Sequence, residues 1–511
     1  MEVKLKPKFI DLESGGKNIV IINTEDAKDI DVSALDRVYV RANGKKVTAL
    51  VDTSSTMAKQ NEIGLFKEVQ KELHLTKEPQ SLSIEKIDKP KSVYLIRKKM
   101  DKVPLKQPEI ESIIEDVMND NLSEIELTAF VTAVYINGLN EEETLALTNE
   151  IIKSGRTLHF PKKVVLDKHS IGGVPGNRTT MLLVPIIASA GLTIPKTSSR
   201  AITSPAGTAD VMEVLAPVNL TEKQIIDTIN KTNGCIVWGG SMNLAAADDK
   251  LIKVRHPLSL DPHGMLLASI LAKKKAVGST HVLIDISIGK GAKIFLKQDA
   301  EKLADEFIRY GNLLNMNVEC IITPGYDPIG QAIGPALEAR EILRILEGEN
   351  VSPELKEKGI AMAGLMLEMA GRAKHGEGEA TARSIIDSGK ALEKMKEIIK
   401  AQGGDPSVSS KGIRIGKKSM TIKATQAGRI HYMNTRDLST IARAAGAPKD
   451  IGAGIYLYVE KGDKITKGQN IFTIYAESDS KLKAAEELID KLQPVELEKT
   501  IIGTVFSKHK S

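Results

Sequence analysis

The chain has 511 residues, of which 41% are hydrophobic, 27% charged and only 4% aromatic, with a single tryptophan, Trp238. That length exceeds one hydrophobic core and implies about two to four domains, and the ordinary apolar and charged shares exclude a disordered or fibrous chain. The formal net charge of +5 is a mild bias that suits an anionic substrate without showing one, and the scarcity of aromatics leaves few stacking platforms for single-stranded nucleic acid.

Short basic clusters such as Arg97–Lys98–Lys99 and Lys273–Lys274–Lys275 read as solvated faces. The two cysteines, Cys235 and Cys320, lie far apart without a CxxC pattern, which excludes a disulfide framework or a cysteine-built zinc site. Residues 1–11 carry no apolar signal-peptide core. No apolar run approaches the roughly 18 residues of a membrane span. The expected compartment is the cytosol.

In chain order, residues 1–88 read as a small β-rich domain. Arg37–Ala42 and 45–51 are β-branched runs flanking Asn43–Gly44, a two-residue hairpin signal. Residues 85–91, with Pro90, read as a linker. From 95 to 159 the period turns helical, with Ile110, Ile113, Ile114 and Val117 at i, i+3, i+4, i+7. Ser123 with Glu126 and Asn140 with Glu143 mark helix starts.

From 160 short apolar runs alternate with helices. Residues 163–166, 193–196, 235–238 and 282–286 are expected strands, 180–190 is an apolar helix, and 245–278 is helical again. Strands alternating with helices imply a mainly parallel sheet covered on both faces. After 412 the pattern becomes β with glycine turns, at 422–424, 428–432, 455–459 and 471–475. The stretch from Val459 looks like a lipoyl-type hairpin, but no lysine sits at an obvious turn tip, so it reads as a structural lobe.

The expected class is therefore multidomain α/β. A β-rich N-terminal domain (1–88) precedes a helical domain (95–159 plus 245–278). A mixed α/β domain (160–244 plus 279–511) has a largely parallel sheet and a C-terminal β-sandwich-like lobe (412–511).

Three loops carry candidate chemistry. The first, residues 167–180, contains Lys168, Ser170, Gly172, Gly173, Gly176 and Thr180 between a strand and a helix. Its glycines let backbone approach an anion, and the helix start offers free N–H groups. It lacks the GxxxxGK[ST] of a P-loop, and such a loop is also a common connector. The second, residues 197–210, is dense in donors: Thr197, Ser198, Ser199, Arg200, Thr203 and Ser204 precede Pro205, with room for two phosphate-like groups. Its bland alternative is a turn that only caps helices. In the third, Asp261 precedes Pro262, and Ser269 and Lys273 follow as i, i+4 neighbours. Asp261 also fits a plain N-cap, and Ser269 with Lys273 a solvated pair. Lys293, after the strand at 282–286, falls at a ligand edge. The histidines outside the first loop show no metal-ligand spacing, and no metal is expected.

At these loops the sequence resembles the thymidine and pyrimidine-nucleoside phosphorylase family. Lys168-His169-Ser170-x-Gly172-Gly173 and Ser198-x-Arg200…Gly207-Thr208-x-Asp210-x-x-Glu213 carry the resemblance, which runs from residue 95 to the C-terminus. It implies a helical and an α/β domain with the active site in the cleft between them, a homodimer and no metal. It implies that Lys168, Ser170, Thr180, Ser198 and Thr208 hold the attacking phosphate and that Ser269 and Lys273 contact the base. The family also points to His169 as an acid.

Three features depart from that pattern: the added N-terminal domain, Pro175-Gly176-Asn177-Arg178 ending the first loop, and Ala201-Ile202-Thr203-Ser204-Pro205-Ala206 within the second. All three resemble the archaeal AMP phosphorylase branch. That resemblance implies phosphorolysis of AMP, CMP or UMP, with inorganic phosphate as co-substrate and no cofactor. The products would be free base and ribose 1,5-bisphosphate, in nucleotide salvage. It also implies dimers assembling into larger homo-oligomers. Asp261 is then the proton donor, with His169 as rival. Gly173, Ser199, Arg200, Ala201, Ile202, Thr203, Ser204, Thr208, Ser269 and Lys293 fall at nucleotide-binding positions.

Phosphorolysis passes through an oxocarbenium-like ribosyl cation. An ordinary Asp261 is ionised at neutral pH and needs a raised pKa to donate. Arg200 with the second-loop hydroxyls is the expected 5′-phosphate site. The same-class alternative is a phosphorylase of unphosphorylated pyrimidine nucleosides. An anthranilate-type phosphoribosyltransferase would need magnesium carboxylates that are not evident. A nucleic-acid-binding protein is opposed by the aromatic poverty; neither nucleic acid nor membrane is an expected partner.

Overall fold

The computed structural model describes residues 2–87, 89–201, 204–489 and 491–498. The chain forms two compact units, Met1–Gly155 with Ala245–Ser269, and Arg156–Leu244 with Ile270–Ser511.

The first unit opens with a closed six-stranded barrel. Its strands are β1 (Glu2–Phe9), β2 (Ile19–Asn23), β3 (Arg37–Ala42), β4 (Lys45–Ser54), β5 (Glu62–Leu65) and β6 (Leu82–Lys86), in the order β1-β5-β2-β4-β3-β6. Closure leaves no strand edge open to aggregation. Val20, Val38, Val51, Ile63 and Leu65 fill it. The Asn43–Gly44 turn has positive φ at both residues, 51° and 72°, the mirror-image turn that matches strand twist. The linker read at 85–91 is shorter in the structure. Lys86 and Glu85 pair with Val38 and Tyr39, because closing the barrel needs that ladder, and the helix Lys91–Met100 starts directly after Pro90.

The helices Gln107–Met118, Glu124–Asn137, Glu141–Ser154 and Ala246–Arg255 complete this unit. Ser123 with Glu126 and Asn140 with Glu143 form reciprocal capping boxes. Glu143 also accepts from Lys99 Nζ at 2.6 Å in a fully buried pair. The 245–278 stretch is two helices, Ala246–Arg255 and His263–Ala276, broken at 256–262 around Pro257 and Pro262.

The second unit is built on parallel strands: β7 (Leu166–Ile171), β8 (Ile194–Ser198), β9 (Gly234–Trp238), β10 (His281–Ile288) and β11 (Asn317–Pro324). Sheets β11-β10-β7 and β8-β9 are joined by the parallel bridge Val165–Thr193. The helices Thr179–Ser189, Pro335–Leu346 and Pro353–Met369 bury their apolar residues in one core with Leu166, Ile194, Ile236 and Leu283. The strand read at 163–166 lies farther along. Register with β10 pairs Leu166 with His281 and Ile171 with Ile286, so Asp167, Lys168, His169 and Ser170 are strand residues rather than loop residues. Polar side chains are tolerated inside a buried strand only when they satisfy one another.

The C-terminal region carries the small sheets β12 (Ala332–Ile333), β15 (Gly454–Leu457), β17 (Asn470–Ala476), β13 (Lys418–Lys423), and β16 (Lys464–Ile465), β14 (Gly428–Met433), β18 (Val495–Leu497), each in that order. It also contains the helices Thr435–Ala444 and Asp479–Ile489, which the all-β reading missed. Asn434 caps the first by accepting from Arg436 and Asp437 N–H groups, and Leu438, Ile441 and Ala442 bury its inner face.

Candidate active site

Two aspartates sit inside apolar strands, Asp167 after Val164-Val165-Leu166 and Asp285 after Val282-Leu283-Ile284. Both are fully buried. A buried carboxylate is costly unless cations and donors surround it, and here they do. Lys274 Nζ donates to Asp167 Oδ2 at 2.7 Å, and Lys196 Nζ lies 3.7 Å from Oδ1. Around Asp285 Oδ2 stand Ser170 Oγ at 2.9 Å, Lys358 Nζ at 3.2 Å and Lys168 Nζ at 3.7 Å. Thr323 Oγ1 donates to Oδ1 at 2.6 Å, and Lys358 donates to Thr323 at 3.0 Å. Lys168 Nζ also donates to Thr179 Oγ1 at 2.9 Å and to Ser170 Oγ.

Four lysines thus share two aspartates: Lys168 and Lys358 beside Asp285, Lys196 and Lys274 beside Asp167. The surplus is cationic and shows in the protonation equilibria. Burial lowers Lys168 to about 8, with Asp285 opposing and Lys358, Arg178 and Lys274 reinforcing. Burial and Lys274 push Lys196 down to about 7 against the pull of Asp167. Burial also lowers Lys358, with Asp285 opposing. For Asp285 burial acts upward, but Lys168, Lys358 and the Thr323 and Ser170 hydroxyls outweigh it and hold the carboxyl below its ordinary range. Burial, then Lys274, Lys196, Lys168 and Lys273, holds His169 well below the usual imidazole value, so it is neutral at pH 7.

The backbone beside this cluster is shaped for close approach. Gly172, Gly173 and Gly176 have φ of 145°, 69° and 72°. A Cβ on Gly176 would stand 2.2 Å from the Ile329 carbonyl oxygen, whereas one on Gly173 would face open space. Thr180 is buried in the first turn of the helix Thr179–Ser189, whose free N–H groups and dipole favour an anion.

The second loop is braced by carboxylates. Asp210 Oδ2 accepts from Ala201 N at 2.7 Å and Gly207 N at 2.8 Å, which folds the loop back on the start of the helix Thr208–Glu213. A Cβ on Gly207 would come within 2.6 Å of Ala201 N and Ser199 O. Ser198 ends β8, Ser199 O accepts from Ala209 N at 3.3 Å, and Ser204 Oγ donates to Ala206 O at 2.9 Å. Ile202 and Thr203 lie outside the described residues. Arg200, expected at a 5′-phosphate, gives both terminal nitrogens to Glu213, Nη2 at 2.6 Å, and stacks 5.1 Å above Trp238. With its fork so occupied, it braces the loop.

Ser269 Oγ donates to buried Asp248 at 2.6 Å, and Arg255 lies 3.4 Å from the same carboxylate. Lys273 is half-buried on the helix His263–Ala276, Asp261 is exposed just ahead of it, and Lys293 is exposed in the 289–296 segment after β10. The sequence reading missed Asp167, Asp285, Lys196, Lys274 and Lys358. A lone aspartate inside a β-branched run was the available signal for the first two. Lys358 had none.

Family models match in three segments: "Glycosyl transferase family, helical bundle domain" over 93–155, "Glycosyl transferase family, a/b domain" over 162–392, and "Pyrimidine nucleoside phosphorylase C-terminal domain" over 429–496. The chain is 46% identical over 503 residues to an AMP phosphorylase of Thermococcus kodakarensis, covering 98% of this chain and 99% of that one. It is 43% identical over 505 residues to an AMP phosphorylase of Methanosarcina barkeri, covering 99% of each. A solved anthranilate phosphoribosyltransferase from Thermus thermophilus overlays at TM-score 0.49 and 18% identity, covering 60% of this chain and 98% of that one, a likeness too low to bear on activity. The chain belongs to the AMP phosphorylase family.

Proposed function

We propose that the protein cleaves AMP with inorganic phosphate, giving adenine and ribose 1,5-bisphosphate, and that CMP and UMP serve as further substrates in nucleotide salvage. The observation that carries this reading is the buried surplus of lysines over aspartates beside a glycine loop and a helix start. Such a site is completed by a dianion.

Lys168, Ser170, Thr180, Ser198 and Thr208 would hold the attacking phosphate. A phosphate oxygen bonds to C1′ as the bond from C1′ to the base nitrogen breaks, and the bond pair leaves with the base. Asp261 would supply the proton to that base, with Asp261 left as carboxylate. His169, held neutral, is less suited to be the acid. Ser199, Ser204 and Thr208, in a loop braced by Arg200, would recognise the 5′-phosphate, with Gly173, Ala201 and Lys293 also at nucleotide positions. Ser269 and Lys273 would contact the base. Holding both reactants in place can supply roughly 7–11 kcal/mol of the barrier, so no cofactor is required. The same fold acting on an unphosphorylated pyrimidine nucleoside is the rival.

The assembly is proposed to be a homodimer that builds larger homo-oligomers. Tyr94 and Ile136 of the helical layer, 74% and 70% exposed, support this.

Phosphate-dependent release of adenine from AMP, run beside adenosine and uridine, tests the reading. AMP is expected to react and adenosine barely. Preference for uridine would overturn it.

A further inference from the structure

Arg178 lies where the glycine loop meets the helix Thr179–Ser189, and its side chain is buried. One guanidinium makes three attachments. It donates to the Ala206 carbonyl of the second loop, donates to Asn177 O at 3.2 Å, and ion-pairs through Nε with Glu338. Glu338 is itself fixed at the start of the helix Pro335–Leu346, accepting from Gly334 N at 3.0 Å. The same helix is preceded by the segment that touches the first loop again, where Ile329 N donates to Pro175 O at 3.1 Å.

We propose that Arg178 is a positioning residue for phosphorolysis, which clamps the second loop to the first and so sets the spacing of the two anion-binding loops. This rests on the reading under Proposed function. Each of the three guanidinium nitrogens faces a protein acceptor, which anchors the side chain between the two loops. Its place is next to the loops that would hold the phosphate. Ala206 immediately precedes Gly207 and Thr208, so a shift at its carbonyl moves the Thr208 hydroxyl directly. A planar fork serves two acceptors and a carboxylate at once, which a lysine ammonium on a flexible stem does not. Reacting groups tolerate little displacement, since a shift of about 1 Å costs on the order of 10²-fold in rate.

The test uses full-length wild type, Arg178→Lys, Arg178→Met and the double variant Arg178→Met/Glu338→Gln, which leaves no buried carboxylate without its cation. Phosphate-dependent cleavage of AMP and of adenosine is measured under saturating phosphate, with thermal melts of each protein. Wild type must first cleave AMP; if it does not, the functional reading fails independently of Arg178. Given an active wild type, a folded double variant should lose about 10²-fold in kcat/KM for AMP. Much of that loss should lie in kcat and should not be restored by excess phosphate. Its preference for AMP over adenosine should fall as well. Arg178→Lys should recover only part, and it is the deciding variant if both methionine variants fail to fold. Wild-type kcat, KM and AMP preference in a folded double variant, or in Arg178→Lys if that alone folds, would overturn the proposal.

Discussion

Lys168 Nζ and Asp285 Oδ2 stand 3.7 Å apart on the neighbouring parallel strands β7 and β10, with Ser170 Oγ donating to the same oxygen at 2.9 Å. The pair is fully buried, and Lys358 Nζ, 3.2 Å from that oxygen, leaves more cation than the carboxylate neutralises. Under the proposed function, this local imbalance is what a bound phosphate would offset.

Removing Lys168 is therefore expected to abolish phosphate use beyond any loss of fold. Lys168→Met should lower kcat/KM for phosphate by about 10³-fold or more, a scale comparable to losing one preorganised charge-stabilising donor. Lys358→Met, whose cation is also beside Asp285, should weaken phosphate binding to a smaller extent. Steady-state kinetics with phosphate as the varied substrate reads both. Equal activity of Lys168→Met and wild type would remove the lysine cluster from the mechanism.

The pH dependence follows from the same burial. Lys168, at about 8, and Lys196, at about 7, titrate below the ordinary lysine range of about 10.4. Between pH 7 and that range the unfolded chain holds protons that the folded, empty protein has released, so these groups make stability rise with pH there. Below pH 7 both are charged in both states and their burial costs most. Anion binding runs the other way, because it needs the charged lysines. Sulfate, which does not titrate in this range, should raise the melting temperature strongly at pH 6.5 and progressively less from pH 8 to 9.5. A sulfate shift that stays constant across that range would contradict this assignment.

The glycines of the two loops should fall into two kinds. Gly176→Ala and Gly207→Ala force a Cβ against backbone and are expected to cost about 1–3 kcal/mol of stability, together with activity. Gly173→Ala faces open space and should cost only the left-handed backbone penalty of about 1–2 kcal/mol, while still weakening substrate binding. Urea unfolding beside Michaelis constants separates stability from binding. A harmless Gly176→Ala would contradict the packing of the first loop on Ile329.

Arg200→Ala is expected to reduce cleavage of AMP and adenosine by similar factors, because the guanidinium is bound to Glu213 and braces the loop. A loss confined to AMP would instead return Arg200 to the 5′-phosphate.

Asp261→Asn should lower kcat by about 10²–10⁴-fold and remove the alkaline limb of the pH–rate profile, because a proton donor acts only while it is protonated. An unchanged profile would transfer the proton donation elsewhere, with His169→Asn the next variant to measure.

Much of the fold was legible in the sequence. The capping boxes at Ser123 and Asn140 and the Asn43–Gly44 hairpin are local signals, written within four residues of chain, and the structure contains each of them. The glycine- and hydroxyl-rich loops were likewise readable, because anion binding demands those residue types close together. The start of β7 was misplaced, because an apolar run cannot report its register. Pairing with β10 set that, and it moved Lys168, His169 and Ser170 from loop to strand. The helix Thr435–Ala444 was missed for a related reason: its short amphipathic pattern lies among β signals, and packing of Leu438 and Ile441 in the C-terminal core stabilises it.

The sequence by itself determined the family, the alternating architecture and the two loops, since these rest on residue type and short-range spacing. Tertiary structure alone decided the partners of the charged side chains. It brought Lys358, 73 positions beyond Asp285, to that carboxylate, turned Arg200 onto Glu213, and set Arg178 between Ala206 and Glu338. Ion pairs over such separations follow from how strands and helices pack, and a linear pattern carries no record of the distance between two side chains.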